Sequence, residues 1–272
     1  MGNFNKKYNF ISKRNQSHLI IGLDPDMNRI PAFFRKDRVF NFNKTIIDCT
    51  KDVAAGYKLN TAFYECMGPE GFKILHQTVR YIPDNLLKIC DAKRSDIANT
   101  GKMYSKAYFD YMKFDAITIN PYLGRDSILP FIDRGDKYVF LLIKTSNTGA
   151  EDFQNLKIKD KPLFRIVAEK SITWTRKENI GFVVGANHTK DISFFSKVYK
   201  NIYLLIPGIG AQGNDLGILM KSIYNDKFLI NSGRAIIYPD NEYFTLNKYK
   251  DIVYNLANTL RENINHLKIF GR

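Results

Sequence analysis

Short apolar runs separated by longer segments of helical period recur along the whole chain, and this alternation restricts its fold more than any other feature. Strands alternating with helices pair in parallel through right-handed crossovers. Eight runs have the length and the aliphatic content of buried strands: 18–23, 55–60, 86–93, 115–120, 138–144, 181–186, 201–206 and 227–231. Helices are predicted between them, including 41–54, 70–81, 98–112, 163–178, 189–199, 214–224 and 244–265.

Eight such units in 272 residues fit one closed (β/α)8 TIM barrel better than an open doubly wound sheet. No linker rich in Pro, Gly or Ser divides the chain, so we expect one barrel domain over residues 18–272 that carries the active site. The polar, basic residues 1–17 are expected to form a lead-in segment that covers the bottom of the barrel. Residues 147–162 are expected to form a long loop after the fifth strand.

The chain is basic, with 41 Lys and Arg against 27 Asp and Glu and a formal net charge of +14. Basic proteins often bind nucleic acids through their phosphates. Here, however, the charge is spread along the chain, without a basic run or a known nucleic-acid motif. We therefore expect no nucleic-acid partner and interpret the charge as a surface that attracts anionic small molecules.

The cysteines and histidines do not have the spacing of a disulfide framework or a metal site. Cys49, Cys66 and Cys90 are widely separated and form no CxxC pair, and the four histidines are scattered. No apolar run is long enough to span a bilayer, and the start of the chain lacks a secretory signal. These features predict reduced thiols, no metal, no membrane partner and a soluble cytoplasmic protein.

Charged side chains lie at the end of the third predicted strand, where a parallel barrel has its active site. Asp91 and Lys93 are two residues apart and are expected to point together toward the barrel mouth. Lys58, on the second strand, is expected beside Asp91, and Asp96 lies in the following loop. Because carboxylates on either side favour the charged ammonium, Lys93 is predicted to be a general acid rather than a Schiff-base nucleophile.

Two glycine-rich stretches follow the seventh and eighth predicted strands. In 204–215, three glycines and Gln212 can offer backbone and side-chain N–H groups to an anion. In 229–237, Gly233 and Arg234 are predicted to open a short helix, which suits a phosphate dianion. This is where phosphate is commonly bound in barrels, so the predicted ligand is a phosphorylated small molecule.

At these positions the chain resembles the orotidine 5′-monophosphate decarboxylases. The matching stretches lie in order along nearly the whole length: 21–26 (IGLDPD), 57–71 (YKLNTAFYECMGPEG), 91–100 (DAKRSDIANT), 182–187 (FVVGAN), 207–215 (PGIGAQGND) and 232–236 (SGRAI). The resemblance implies a monofunctional enzyme that converts orotidine monophosphate to UMP and CO2 without a cofactor. In the implied reaction, Lys93 stabilises and protonates a carbanion at C6 of the pyrimidine.

The resemblance also implies the roles of individual residues. Lys58, Asp91 and Lys93 of one subunit and Asp96 of its homodimer mate would form the charged network, and Thr100 would also reach across. Asp24 and Lys58 would hold the ribose hydroxyls, with Asn60 beside them. Ser146 and Pro207 would lie at the pyrimidine, and Gln212, Gly233 and Arg234 would hold the phosphate. The sequence TSNTG after the fifth strand, which contains Ser146, departs from the family pattern.

Three alternatives remain at this point. One is another phosphate-binding barrel decarboxylase with the same D-x-K-x-x-D string, such as the magnesium-dependent 3-keto-L-gulonate 6-phosphate decarboxylase. Lys58 argues against it, because that relative has a metal-binding carboxylate there. Another is a non-enzymatic basic binding protein. The third concerns assembly: the chain has no room for an orotate phosphoribosyltransferase domain, which leaves a complex with a separate one open.

Overall fold

Eight parallel strands close into a barrel in the order in which they follow one another along the chain. The computed structural model describes residues 3–210, 215–239 and 245–270. The barrel strands are β1 (Leu19–Gly22), β2 (Gly56–Asn60), β3 (Leu87–Arg94), β4 (Ala116–Ile119), β5 (Tyr138–Lys144), β8 (Ile180–Val184), β9 (Leu204–Pro207) and β10 (Phe228–Ser232). Each overlaps one predicted run, and the prediction of a (β/α)8 barrel is confirmed.

Helices surround the barrel between its strands. They are α1 (Asn3–Arg14), α2 (Arg38–Thr50), α3 (Ala62–Glu65), α4 (Gly68–Tyr81), α5 (Ala98–Ser105), α6 (Arg125–Ile132), α7 (Leu163–Ile172), α8 (Thr189–Val198), α9 (Leu216–Lys221), α10 (Arg234–Ile237) and α11 (Leu246–Phe270). A π-helix (Lys106–Tyr111) continues α5, and 3-10 turns occupy Pro121–Leu123 and Thr148–Asp152. None of the helices in the described ranges is long and apolar enough to cross a membrane.

The barrel strands are buried on both faces. Every residue of β1, β8 and β10 is buried, because one face of each strand fills the barrel interior and the other packs against the helices. This arrangement explains why the strands read as continuous apolar runs rather than as alternating ones. Polar side chains then concentrate where the strands end.

The N-terminal segment is helical and lies against the amino-terminal ends of the strands. Phe4 and Tyr8 of α1 are buried one helical turn apart, and the Phe4 ring stacks 4.4 Å from that of Tyr138, the first residue of β5. Lys7 makes an ion pair with Asp115, which precedes β4, at 2.7 Å. Helix α1 is therefore held at the end of the barrel opposite to the strand ends that carry polar groups.

Residues 147–162 contain more regular structure than the predicted loop. After the 3-10 turn at Thr148–Asp152, β6 (Lys157–Ile158) and β7 (Lys161–Pro162) pair as an antiparallel hairpin. Its turn residues, Lys159 and Asp160, have positive φ angles of 47° and 62°, as a tight hairpin with right-handed strand twist requires. We call residues 147–162 the β5 excursion.

Candidate active site

A cavity of about 740 Å³ opens at the carboxyl ends of the barrel strands. Its polar lining comes from strand ends and the loops that follow them, and its apolar lining from the barrel interior, the β5 excursion and α7. The polar residues are Lys58, Asp91, Lys93, Thr118, Asn120, Thr145, Ser146, Asn147 and Gln154, and Pro207 closes one wall. Apolar cavities with a few convergent polar groups are typical sites for small ligands.

Lys58, Asp91 and Lys93 form a continuous array of ion pairs, which we call the charged cluster. Asp91 Oδ2 lies 2.7 Å from Lys58 Nζ, and Asp91 Oδ1 lies 2.7 Å from Lys93 Nζ. The side chains of Lys58 and Asp91 are only 6% and 12% exposed, whereas that of Lys93 is 48% exposed. The carboxylate is thus held between two ammonium groups, and the outer one faces the cavity.

A β-bulge, rather than simple strand alternation, brings Lys93 to this position. The pairing of β3 with β4 shifts register between Cys90 and Arg94, and Lys93 has a φ of +50°. Positive φ is strained for a side chain with a Cβ and is found mostly at functional sites. The register also pairs Asp91 with Asn60, so Lys58 reaches Asp91 from two residues earlier on β2.

The ionisation of the cluster follows from its contacts. Burial by itself lowers the pKa of Lys58, but the charges of Asp91 and Asp24 outweigh it and raise that pKa to about 12. Burial by itself raises the pKa of Asp91, but Lys58 and Lys93 bring it well below its ordinary value. Asp91 therefore carries its negative charge, and Lys58 its positive charge, throughout the physiological pH range.

Thr118, in the middle of β4, joins the cluster and was missed by the sequence reasoning. Its hydroxyl donates to Asp91 Oδ1 at 2.9 Å and accepts from the backbone N–H of Lys93 at 3.1 Å. The side chain is buried and lines the cavity. Its place inside the apolar run AITI gave no signal, because only the register of β4 against the bulge brings this hydroxyl to Asp91.

Asp24 and Asn60 lie beside the cluster. Asp24 Oδ1 accepts a hydrogen bond from the Asn60 backbone N–H at 3.3 Å. Gly22 and Gly233 meet next to them, because a Cβ on Gly22 would lie only 3.1 Å from the Gly233 Cα. A Cβ on Gly233 would in turn lie 3.8 Å from Asp24 Oδ2. The structure thus brings the predicted ribose and phosphate residues together where β1 adjoins β10.

The loops after β9 and β10 lie at the same end of the barrel, and among residues 207–210 and 233–234 only Pro207 lines the cavity. Pro207 ends β9, and Gly208 and Gly210 follow with φ angles of 111° and 90°, a conformation for which glycine is suited. Gly233 caps the amino terminus of α10, and Arg234 begins that helix with an exposed side chain. Gln212, the remaining predicted phosphate residue, lies outside the described residues.

Asp96 and Thr100 are not part of the cluster within this chain. Asp96 Oδ1 accepts from the backbone N–H of Ile97 at 2.8 Å, and Thr100 is exposed on α5. In the described part of the single chain, neither residue lines the cavity. Asp96 lies in the loop after β3, the strand that carries Lys93, and Thr100 lies in the first turn of the helix that follows this loop.

The cysteines are all free thiols, and Cys90 is fully buried. Burial raises the pKa of the Cys90 thiol well above its ordinary value, which favours the protonated thiol of a core residue over a nucleophilic thiolate. Among residues 3–210, 215–239 and 245–270, no group of three His, Cys, Asp or Glu side chains is arranged to hold a metal ion. The charged cluster is the chemical centre of the cavity.

Comparison with known proteins agrees with this geometry. Residues 17–249 match the model of the orotidine 5′-phosphate decarboxylase/HUMPS family. The chain is 45% identical over 230 residues to an orotidine 5′-phosphate decarboxylase from Flavobacterium johnsoniae, covering 82% of this chain and 84% of the relative. It is 39% identical over 272 residues to an enzyme of the same name from Dehalococcoides mccartyi, covering 97% and 98%.

Solved structures give the same result. The structure of Leishmania donovani OMP decarboxylase superposes with a TM-score of 0.85 at 32% identity and covers 99% of both chains. Similarity therefore extends over the whole barrel, including the strand ends that carry the charged cluster. The chain belongs to the orotidine 5′-phosphate decarboxylase/HUMPS family.

Proposed function

We propose that this chain decarboxylates orotidine 5′-monophosphate to UMP and CO2, the last step of de novo pyrimidine synthesis, and that Lys93 carries the chemistry. The observation that carries the proposal is the charged cluster at the cavity, with Asp91 2.7 Å from both Lys58 and Lys93. Family membership supports the reaction. The charges needed by the transition state are supplied by side chains, so the proposed reaction uses no cofactor.

In the proposed mechanism, the bond between C6 and the carboxyl carbon breaks and its electron pair stays on C6. The Lys93 ammonium stabilises this developing negative charge, then transfers a proton from Nζ to C6 to give UMP. Solvent returns the proton to Lys93. Since Asp91 is already ionised and fixed, the site needs little rearrangement as charge appears on the pyrimidine.

Asp91 has two effects in this scheme. It holds Lys93 Nζ in place, and it puts negative charge where the substrate carboxylate would lie before it leaves. Lys58 neutralises the other carboxylate oxygen and, with Asp24 and Asn60, is proposed to bind the ribose hydroxyls. The charged cluster thus serves both substrate binding and catalysis.

The remaining contacts are proposed from the position of each residue. Ser146 and Pro207 line the cavity and are assigned to the pyrimidine. Gly233 and Arg234, at the amino terminus of α10, are assigned with Gln212 to the phosphate. Binding energy from the phosphate, remote from C6, helps to hold the pyrimidine against Lys93.

We also propose a homodimer in which Asp96 and Thr100 enter the partner's site. The loop that holds Asp96 and the helix α5 that holds Thr100 each carry an exposed apolar side chain, Ile97 and Met103. Mixing Lys93→Ala with Asp96→Ala subunits is expected to restore part of the activity, because one site in each mixed dimer is intact. Mixed dimers that stay inactive would contradict shared sites. Association with a separate orotate phosphoribosyltransferase is a further proposal, tested by co-purification.

A cytoplasmic location is proposed on the state of the thiols. Cys49, Cys66 and Cys90 are all unpaired, as is usual in a reducing compartment.

The experiment that tests the function is turnover of orotidine monophosphate, followed by ultraviolet absorbance. Lys93→Ala is expected to lower kcat by at least about 10⁴-fold, because it removes both the acid and the charge that stabilises the carbanion. Lys73→Ala, which breaks an exposed ion pair with Glu70 on α4, is the control and should match the parent. Equal rates in parent and Lys93→Ala would remove Lys93 from the mechanism.

Metal dependence separates the proposed reaction from the magnesium-dependent relatives. Lys58 Nζ occupies a position 2.7 Å from Asp91 where such an enzyme would need an acidic metal ligand. Activity is therefore expected to survive EDTA, and its loss on chelation would favour the metal enzyme.

A further inference from the structure

The residue before Ser146 has its polar groups engaged, and the β5 excursion provides most of the partners. The Thr145 backbone N–H donates to Gln154 Oε1 at 2.9 Å, and the Gln154 amide nitrogen donates to Thr145 Oγ1 at 2.8 Å. The same hydroxyl donates to Asn147 Oδ1 at 2.7 Å. The Thr145 carbonyl oxygen lies 2.8 Å from His188 Nε2.

The orientation of the Gln154 amide is fixed by this pairing. A backbone N–H is always a donor, so the atom that faces Thr145 N must be the oxygen, and the nitrogen must face the hydroxyl. The backbone of Gln154 is held as well, since its N–H donates to the Ala150 carbonyl at 2.9 Å and its carbonyl accepts from Phe164 N–H at 3.1 Å. Gln154 is thus fixed in place and holds Thr145 through two hydrogen bonds.

The next residue of the excursion makes a second connection to the same strand end. Asn155 Oδ1 accepts from the ammonium of Lys144, the last residue of β5, which is only 2% exposed. The Asn155 amide nitrogen in turn donates to Glu151. Two successive residues, Gln154 and Asn155, therefore fasten the excursion to two successive residues of the strand end.

Ser146 is confined from the opposite side by the loop after β8. A Cβ on Gly185 would lie 2.9 Å from the Ser146 Cβ and 3.1 Å from its Cα, so the two backbones approach closely. Ser146 therefore lies between this contact and the hydrogen bonds that join Thr145 to Gln154, at the wall of the cavity.

We infer that Gln154 is a positioning residue for the decarboxylation, which fixes the backbone at Thr145 so that Ser146 faces the pyrimidine. The inference rests on the proposed function, in which Ser146 contacts that ring. Gln154 also lines the cavity, but both ends of its amide are engaged by Thr145, which favours action through Ser146 over direct contact. The β5 excursion then holds the backbone beside Ser146 in the position that the site requires.

The test is a double-mutant cycle with Gln154→Met and Ser146→Ala, read as kcat and KM for orotidine monophosphate. Methionine keeps the length and bulk of glutamine but forms neither hydrogen bond. Each single variant is expected to lower kcat/KM about tenfold, the effect of one lost hydrogen bond at 1.4 kcal/mol. The double variant should be no worse than Ser146→Ala, because Gln154 acts through Ser146.

Glu169→Gln is the matched control, since it breaks the exposed Lys161–Glu169 ion pair that also ties the excursion to α7. It should leave kcat/KM unchanged. If Gln154→Met does not fold, Gln154→Glu retains an acceptor for Thr145 N–H and is expected to lose about threefold, again only when Ser146 is present.

The outcomes separate this inference from the function. The positioning role would be overturned if the losses of the two single variants multiplied in the double variant, or if Gln154→Met were as active as the parent. In either case an inactive Lys93→Ala enzyme would leave the proposed function standing. A Ser146→Ala enzyme equal to the parent would also overturn it. Full activity in Lys93→Ala, by contrast, would refute the proposed function itself.

Discussion

Two regions at the carboxyl ends of the barrel strands differ in whether their charged side chains are already paired within the chain. In the charged cluster, Asp91 is already paired with two lysines, and Thr118 and the β3 bulge hold it there. On the side formed by Pro207–Gly210 and Gly233–Arg234, to which we assign the phosphate and which we call the phosphate side, the chain offers glycines and an exposed guanidinium. Within the described ranges the Arg234 side chain makes no hydrogen bond or ion pair to another residue.

This difference separates two tasks. The cluster must carry its charges before the substrate arrives, because a rigid array stabilises the transition state without reorganising. In its proposed role, Arg234 instead needs a side-chain donor that a phosphate dianion can take up on binding. Substitutions in the cluster should therefore affect kcat and the fold together, and substitutions on the phosphate side should affect binding.

The largest effect is expected from Asp91→Ala, which leaves the buried Lys58 without its main counter-charge. We expect kcat to fall by about 10³-fold or more and the free energy of unfolding to fall by about 3 kcal/mol, the cost of breaking a buried ion pair. Steady-state kinetics and urea denaturation measure the two losses. A variant with normal stability would show that the cluster is not held as the structure implies.

Arg234→Ala is expected to raise KM about 100-fold, because a charge-assisted contact to the phosphate is worth about 1.5–3 kcal/mol. The free energy of unfolding should change by less than about 0.5 kcal/mol, as for other exposed side chains. Kinetics at saturating substrate and urea denaturation test both parts. A large loss of stability with unchanged KM would reverse the contrast between the two sides.

Thr118→Val is expected to lower kcat about tenfold with little change in KM, because it leaves the Lys93 backbone N–H and Asp91 without one hydrogen bond each. Thr118→Ser keeps the hydroxyl and should retain most activity. Thr78→Val is a matched control, since that buried hydroxyl accepts from Asn43 on the helical layer, away from the cavity. An equal loss of kcat in the control would point to a general packing effect.

The smallest effect concerns pH. The pKa of Asp91 is lower in the folded than in the unfolded chain, so its stabilisation is present above the unfolded value of about 3.9 and is lost as pH falls below it. The pKa of Lys58 is raised to about 12, so its stabilisation is complete below about 10.4 and is lost as pH rises toward 12. Urea denaturation between pH 3 and 7 should show less acid destabilisation for Asp91→Asn than for the parent, and identical pH dependence would contradict the cluster's ionisation.

The strands were predictable because each is a run of apolar residues buried on both faces. Lys58, Asp91 and Lys93 were predictable because they are charged residues near the carboxyl ends of two of these runs. Helix α6 was missed, since its eight residues include Pro130 and follow Gly124, which resembles a turn. Helix α1 was read as a lead-in segment because its lysines hid the spacing of Phe4 and Tyr8.

Other features depend on tertiary register and leave no local signal. Thr118 becomes part of the site only through the bulge at β3, and Gln154 only because the β5 excursion folds back onto its own strand. The contact of Lys93 with Asp91 was predicted, but its cause was not, since alternation along a regular strand does not produce a φ of +50°.

The meeting of Gly22 with Gly233 has a consequence beyond the site. Strands β1 and β10 begin and complete the barrel, so this contact closes a ring between distant parts of the chain. A nucleotide held by Asp24 on one side and Arg234 on the other would bridge that seam. The bound nucleotide would then oppose separation of the first strand from the last. Saturating UMP would therefore slow proteolysis of molecules in which the barrel has opened between these two strands.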